Sequence, residues 1–216
     1  MFKAICKVGA VADGMNYDAD TIATAEIRES DRYGGLRVTL VGHLGTARLR
    51  IQIDVGIGDA VTPEPEWTPL PTLLEQPAPR LRAYHPETAI AEKLQIIVAF
   101  GMANTRMKDF FDIAALAQGQ LFEGARLVRQ VRATFERRGT PIPPEVPVAL
   151  TDEFSLDRSK QAQWNAFIAR SQLTETRSLH EVMAAIRALA LPVFRAALSD
   201  EGAIGVWPAG GPWKRS

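Results

Sequence analysis

The sequence has few of the features that mark several protein classes. It contains one cysteine, Cys6, in 216 residues. A single cysteine excludes an internal disulfide and a zinc site built from several thiolates, and it fits a reducing compartment. No apolar stretch approaches the roughly 20 residues that span a bilayer, and no signal-type apolar run follows the first residues. These absences predict a cytoplasmic protein without a membrane segment.

Neither sign of charge is in excess over the whole chain. Lys and Arg number 25, as do Asp and Glu, which excludes a uniformly basic nucleic-acid-binding chain and an acidic disordered tail. Residues 80–140 are nevertheless basic. Within them Arg126, Arg129 and Arg132 recur at helical spacing, which indicates either a solvated helix face or a row of contacts to an RNA backbone.

Two apolar segments predict a β-hairpin. Leu36–Val41 and Ala47–Val55 are rich in β-branched residues and are separated by a turn that contains two glycines. In the second segment apolar and polar residues alternate, which places Asp54 on the polar face. Residues 56–59 are predicted to end this strand. The six prolines between residues 63 and 79 predict a long connection with neither helix nor central strand.

The rest of the chain shows helical periodicity. Apolar spacing, proline at helix starts and glycine at helix ends predict five helices. They span about residues 85–101, 104–119, 124–138, 159–171 and 179–191, and Pro192 is expected to bend or end the last. A sheet region followed by helices is an α+β arrangement.

The second predicted helix carries a compact set of charged residues. Lys108 and Asp112 are four residues apart, and Asp109 and Asp112 are three apart. On a helix all three side chains therefore lie within an arc of about 100°. Met107 and Phe110 fall on the opposite side and anchor the helix in the core. The pattern indicates either a surface ion pair or a charged face directed into a cleft.

Two further charged residues have alternative interpretations. Lys93 lies at the border of the apolar stripe of the first predicted helix, where a lysine either extends to solvent or binds an anion such as a triphosphate. Asp54 lies near the end of a predicted strand. It is either a surface acid paired with Arg48 or Arg50 or, because glycines follow it, a carboxylate in a metal and phosphate cleft.

Four segments in a fixed order resemble one protein family. They are Tyr33-Gly34-Gly35-Leu36-Arg37-Val38, Ile51-Gln52-Ile53-Asp54-Val55-Gly56-Ile57-Gly58-Asp59, Ala91-Glu92-Lys93-Leu94 and Arg106-Met107-Lys108-Asp109-Phe110-Phe111-Asp112. Together they resemble the AbiEii/AbiGii abortive-infection toxin family of nucleotidyltransferase-like proteins. Phe135–Pro141 and the tail from Trp207 are similar to the family's later region, so the resemblance covers nearly the whole chain.

The resemblance implies a fold, an activity and partners. The fold is a truncated polymerase-β-like nucleotidyltransferase core followed by a helical C-terminal part. The implied segments are a partial sheet region at residues 1–80, a helical core at 81–140 and a C-terminal helical region with its tail at 141–216. Members of type IV toxin–antitoxin or phage-defence systems are expected to bind Mg²⁺ and a nucleoside triphosphate and to transfer a nucleotide to an RNA, such as tRNA, or to a protein. A cognate antitoxin is the implied partner.

The resemblance also implies residue roles. By position, Asp54 resembles the third carboxylate, which would bind the metal, and Lys93 resembles the phosphate-contacting lysine. Lys108, Asp109 and Asp112 resemble the family's Lys-Asp-x-x-Asp motif, with Lys108 joining Lys93 in nucleotide binding. Metal-binding carboxylates and phosphate-binding cations suit a reaction that depends on positioning and charge neutralisation.

The family's first motif, a Gly-Gly-Ser/Thr turn followed by Asp-x-Asp on a strand, is not found in the sequence, and the chain is expected to start inside the element after that strand. Asp18-Ala19-Asp20 fits the bare pattern but has no such turn before it, so loop or cap acids are the better interpretation. The first hypothesis is a nucleotidyltransferase that needs the motif from elsewhere. The alternative is a non-catalytic remnant that binds an antitoxin or RNA through Arg126, Arg129 and Arg132, and a third is a decayed product without function.

Overall fold

The computed structural model describes residues 1–9, 13–28, 34–56, 64–72, 75, 77–171, 173, 177–199 and 204–215. These residues form two compact units, Met1–Val61 and Thr62–Ser216. Strands predominate in the first unit and helices in the second, so the predicted α+β order is confirmed. The division into segments 1–80, 81–140 and 141–216 stays a prediction. No described helix is long and apolar enough to cross a membrane.

The first unit is an antiparallel sheet preceded by a one-turn helix. Helix α1 spans Phe2–Ile5, and the sheet has the strand order β1 (Met15–Arg28), β2 (Gly34–Leu44) and β3 (Ala47–Gly56). Strand β1 was not predicted because polar residues predominate in it. Its register with β2 shifts between Asp18 and Ala23, as at a β-bulge.

The predicted hairpin of β2 and β3 is present, but its turn lies further along the chain than expected. Leu44 pairs with Ala47, which leaves Gly45 and Thr46 as the turn. Gly42 was predicted to lie in the turn and instead pairs with Leu49 within the strand. A Cβ atom at Gly42 would lie 2.9 Å from Cε of Met15, so the glycine makes room for a neighbouring side chain. The predicted strand end at residues 57–59 lies outside the described residues.

The second unit begins with a short hairpin. Strands β4 (Glu66–Pro69) and β5 (Arg80–Ala83) pair antiparallel, with β4 inside the proline-rich segment that was predicted to be a long connection and β5 just after it. A two-stranded hairpin has only edge strands, where proline costs no ladder hydrogen bond, so it does not conflict with the exclusion of a central strand. Pro69 accordingly lies at the end of β4.

The helices of the second unit surround one apolar core. They are α2 (Pro86–Phe100), α3 (Met107–Gly119), α4 (Gly124–Arg137), α5 (Asp152–Leu156), α6 (Arg158–Ser171) and α7 (Leu179–Leu198). Short 3₁₀ turns at Gly101–Ala103 and Val148–Leu150 connect them, and β6 (Phe122–Glu123) pairs with β7 (Val206–Trp207). One phenylalanine from each of α3, α4, α5 and α7 is fully or almost fully buried in the core: Phe110, Phe135, Phe154 and Phe194.

Helix α7 continues past the proline that was expected to bend or end it. A capping box formed by Ser178 and Glu181 fixes its start. Pro192 lies inside the helix, but Leu189, Val193 and Phe194 on either side of it are buried in the core. Burial of these apolar side chains offsets the hydrogen bond that the proline cannot make.

Candidate functional site

The charged face of α3 meets one lysine of α2. Nζ of Lys93 lies 2.8 Å from Oδ1 of Asp109 and 2.8 Å from Oδ2 of Asp112. The two helices pack through buried Ile90, Leu94 and Phe110. Lys93, at the border of the α2 stripe, therefore reaches across to α3 rather than out to solvent.

Asp109 is the buried centre of this cluster. Its side chain is 5% exposed, and each of its oxygens accepts a hydrogen bond from a cation. Lys93 donates to Oδ1, and Nε of Arg106 donates to Oδ2 at 2.9 Å. With both oxygens engaged by cations, Asp109 is suited to hold Lys93 and Arg106 in position rather than to bind a ligand itself.

Asp112 and Lys108 form the more accessible side of the cluster. Nζ of Lys108 lies 2.6 Å from Oδ2 of Asp112, the oxygen that also receives Lys93. The Lys108 side chain is 70% exposed, and Asp112 is mostly buried. Oδ1 of Asp112 has no hydrogen-bond or ion-pair partner in the part of the chain that the structure describes.

The cluster carries more positive than negative charge. We define the charged cluster as Arg106, Lys108, Asp109, Asp112 and Lys93, three cations against two carboxylates. Burial disfavours the charged ammonium of Lys93, but the hydrogen bonds to Asp109 and Asp112 more than compensate, so the pKa of Lys93 is raised above its usual value. Lys93 is therefore an ammonium at neutral pH, and the cluster suits an anionic ligand.

Arg106 was not among the site residues predicted from the sequence. Its side chain is 52% exposed and uses Nε for Asp109, which leaves its two Nη atoms as further N–H donors. The signal was present in the sequence, because Arg106 and Asp109 are three residues apart. This spacing was used for Asp109 and Asp112 but not for the residue that precedes α3.

A buried lysine and asparagine support the start of α3. Oδ1 of Asn104 accepts a hydrogen bond from the backbone N–H of Arg106 at 2.8 Å. The backbone carbonyl of Asn104 accepts one from Nζ of Lys160 on α6, also at 2.8 Å. Both residues are buried. They fix the backbone from which Arg106 and Asp109 extend.

Asp54 lies in the first unit, where its carboxylate is paired across the sheet. Arg37, its direct partner on β2, donates Nε to Oδ1 at 2.8 Å and Nη2 to Oδ2 at 2.9 Å. The hydrogen bonds from Arg37 hold the pKa of Asp54 below its usual value. The partner is thus Arg37, and not Arg48 or Arg50 as the surface-acid interpretation expected.

The described residues do not form a metal site on their own. Among them, no group of three His, Cys, Asp or Glu residues could hold a metal ion. Both oxygens of Asp54 face Arg37, so a metal ion would first have to displace that guanidinium. Asp18 lies beside the β1 bulge, where its Oδ1 accepts the backbone N–H of Asp20. Asp20 itself is almost fully exposed.

The arginines of α4 differ in their surroundings. Arg132 donates to the backbone carbonyls of Ala196 and Ala197 at 2.9 Å each and to that of Ser199, and so caps the C-terminal end of α7. Arg126 lies near His85 and Glu87 at the start of α2.

Arg129, between them in the sequence, is exposed and has no ion pair with any described residue. Of the three predicted RNA contacts it is therefore the one whose charge is not already engaged inside the protein. Contact of all three with RNA stays a prediction.

Comparison with protein-family models identifies one family. A family model described as "Nucleotidyl transferase AbiEii toxin, Type IV TA system" matches residues 2–199 of the chain. No curated protein and no solved structure matches it.

Proposed function

Because the chain belongs to the AbiEii nucleotidyl transferase toxin family of type IV toxin–antitoxin systems, we propose that its charged cluster binds the phosphates of a nucleoside triphosphate for nucleotide transfer to an RNA acceptor. The observation that carries this proposal is the position of Lys93. Its ammonium is held by Asp109 and Asp112 at 2.8 Å each, on a cluster with a surplus of positive charge.

The hydrogen-bonding capacity of the cluster supports phosphate binding. An ammonium has three N–H donors, and the two carboxylates use two of those of Lys93. The third donor, the Nη atoms of Arg106 and the exposed Lys108 are the groups we assign to the phosphates. Asp109 and Asp112 keep these cations in one arrangement, which lowers the cost of ordering them when the ligand binds.

These residues match the charge that nucleotidyl transfer develops. An acceptor hydroxyl oxygen bonds to the α-phosphorus, its proton passes to water, and the bond to pyrophosphate breaks. Negative charge grows on the leaving pyrophosphate. Cations fixed in advance stabilise that charge more than the bound triphosphate and so favour the transition state.

In this proposal the metal ion is bound by carboxylates other than Asp54 and Asp109. Nucleotidyltransferases generally use a divalent metal ion, but Asp54 is occupied by Arg37 and Asp109 by two cations. We therefore propose that transfer also needs the Asp-x-Asp motif of the family, supplied by another segment or chain. The system's second component would be its antitoxin, and both would act in the cytoplasm.

The test separates binding from transfer. Binding is measured by calorimetry with each of the four nucleoside triphosphates, for the unaltered chain, Lys93→Met and Asp152→Asn. Asp152→Asn controls for the loss of an ion pair outside the charged cluster, because Asp152 is an exposed acid paired with Arg187. We expect Lys93→Met to weaken binding by about tenfold or more, since a charge-assisted hydrogen bond contributes roughly 1.5–3 kcal/mol. Absence of binding in a folded sample contradicts the proposal.

Transfer is measured with labelled triphosphates and Mg²⁺, on total RNA and on the protein itself. The same samples are run with Asp54→Ala and with a chelator. If the unaltered chain transfers the label and Asp54→Ala does not, the result supports a role in which Asp54 exchanges Arg37 for a metal ion. Transfer that appears only when an Asp-x-Asp segment is added supports the need for an external motif.

A second candidate function is a non-catalytic module that binds an antitoxin or RNA. The pairing of Asp54 with Arg37 favours it, because that carboxylate is not free to bind a metal. This module would bind RNA with strong salt dependence, lose affinity on Arg129→Ala and be indifferent to triphosphates.

A further inference from the structure

The hairpin of β4 and β5 exposes an aromatic and basic face. Trp67 lies directly opposite Arg82, and Pro69 lies opposite Arg80. Cross-strand partners share a face and successive residues alternate, so these four side chains lie on one side of the hairpin. We call this side, made of Trp67, Pro69, Arg80 and Arg82, the hairpin face.

The residues of the hairpin face are exposed to an unusual degree. Trp67 is 62% exposed, whereas Trp164 and Trp207 are buried in the core. Large aromatic side chains are normally among the better buried residues, so an exposed tryptophan beside arginines indicates an interaction site. Tyr84, just after β5, is also exposed.

Charge is divided between the two sides of the hairpin. Both arginines lie on the hairpin face, and Glu66 lies on the other, where its Oε1 is 3.4 Å from Nε2 of His85. Arg80 has no ion pair with any residue in the described ranges. Arg82 has a 3.7 Å ion pair with Glu64, whose side chain is almost fully exposed, and a long hydrogen bond of 3.5 Å from Nε to the carbonyl of Pro65; such exposed contacts contribute little.

From this arrangement we infer that the hairpin face binds single-stranded RNA. An exposed tryptophan offers a flat surface on which any base can stack, and arginines beside it neutralise the phosphates on either side of that base. The pattern of one aromatic residue with two cations on the neighbouring strand matches a flexible polyanion with exposed bases. A protein partner would also accept Trp and Arg, but it would gain less from two exposed cations on one side of the hairpin.

The hairpin is joined directly to the helix that carries Lys93. Only Tyr84 and His85 separate β5 from α2, and Lys93 is seven residues into that helix, about 10 Å along its axis. The hairpin face and the charged cluster therefore belong to consecutive elements of the same unit. This inference deepens the proposed function and rests on it for the identity of the RNA as the acceptor strand.

The test uses the fluorescence of Trp67. The chain has four tryptophans, and Trp67 is the most exposed of them, so a base that stacks on it should quench the accessible, red-shifted part of the emission. The unaltered chain is titrated with a 12-nucleotide single-stranded RNA without triphosphate or metal, and the anisotropy of a label on the RNA gives the affinity. We expect saturable quenching that Trp67→Phe removes, while the affinity of that variant stays within about threefold.

Two further variants measure the separate contributions. Trp67→Ala should weaken RNA binding by roughly tenfold, the usual effect of losing one stacked base. Arg80→Ala with Arg82→Ala should lower the dependence of log affinity on log salt by about 1.4, or about 0.7 for each phosphate contact. The matched control is Arg158→Ala with Arg170→Ala, which removes two exposed arginines of α6 and should leave the slope unchanged.

Unchanged RNA affinity in Trp67→Ala, or an unquenched Trp67, overturns the inference and leaves the hairpin face to a protein partner. The result is independent of nucleotide transfer. Quenching in a sample that shows no transfer even after an Asp-x-Asp segment is added supports the hairpin face and counts against the proposed enzyme. Transfer without quenching supports the enzyme and removes the hairpin face as its RNA-binding surface.

Discussion

Lys93 and Asp109 are sixteen residues apart in the sequence and lie on different helices, yet Nζ of one is 2.8 Å from Oδ1 of the other. Asp109 is buried and Lys93 largely so. A buried ion pair is costly to form but more costly to break, because the remaining charge then lacks a partner. This pair therefore couples the packing of α2 against α3 to the arrangement of the charged cluster.

The first prediction concerns the buried carboxylate. Asp109→Asn removes the charge that faces both Lys93 and Arg106, and we expect it to lower the free energy of unfolding by about 1–3 kcal/mol. Urea unfolding measures the change through the midpoint at constant slope. Asp152→Asn is the control, since Asp152 is exposed and its pair with Arg187 should contribute less than the buried pair. If both variants lose the same free energy of unfolding, burial does not make the ion pairs of Asp109 more stabilising than an exposed pair.

The second prediction concerns pH. The pKa of Lys93 is raised in the folded protein, so the unfolded chain loses this proton at a lower pH than the folded one. The stability that Lys93 provides is therefore complete below its unfolded pKa of about 10.4 and is lost as pH rises through the folded value. Urea midpoints between pH 8 and 11 should fall more steeply for the unaltered chain than for Lys93→Met. Parallel curves of urea midpoint against pH for the two proteins would contradict the raised pKa of Lys93.

Much of the helical region could be predicted from the sequence, whereas long-range contacts could not. The bounds of α2, α3 and α4 follow from apolar spacing, from Pro86 and from glycines near the helix ends, all of which are local signals. Strand β1 was missed because it is polar and bulged, and the β4–β5 hairpin was missed because its prolines argued against strands.

The charged residues show the same limit. The helical period placed Lys108, Asp109 and Asp112 on one face, because that relation is set within a single helix. It did not show that Lys93 meets this face, since the packing of two helices depends on the whole core. In the same way, helical spacing placed Arg132 with Arg129 as a possible RNA contact. It did not show that the guanidinium of Arg132 caps α7 at Ala196, 64 residues further along the sequence.

The third prediction separates these two arginines of α4. Arg132→Met deletes three hydrogen bonds to the C-terminal carbonyls of α7, and we expect the free energy of unfolding to fall by about 2–3 kcal/mol. Arg129→Met on the same helix should change it by no more than about 0.5 kcal/mol, because Arg129 is exposed. Thermal unfolding of both variants gives the comparison. A similar loss in both would mean that the α7 cap contributes little.

The last prediction concerns Arg106 and the proposed phosphate site. Arg106→Gln removes the guanidinium that Asp109 holds at 2.9 Å, and we expect the affinity for inorganic tripolyphosphate to fall about tenfold in calorimetry. Arg106→Lys keeps the charge but loses the two Nη donors, so its affinity should lie between those of Arg106→Gln and the unaltered chain. Arg158→Gln, an exposed arginine of α6, controls for the loss of one positive charge. If Arg106→Gln and Arg158→Gln weaken binding equally, Arg106 acts only through net charge. A larger loss at Arg106, with partial recovery in Arg106→Lys, is the result that direct phosphate contact requires, because only a side chain in contact with the ligand responds to donor geometry as well as to charge.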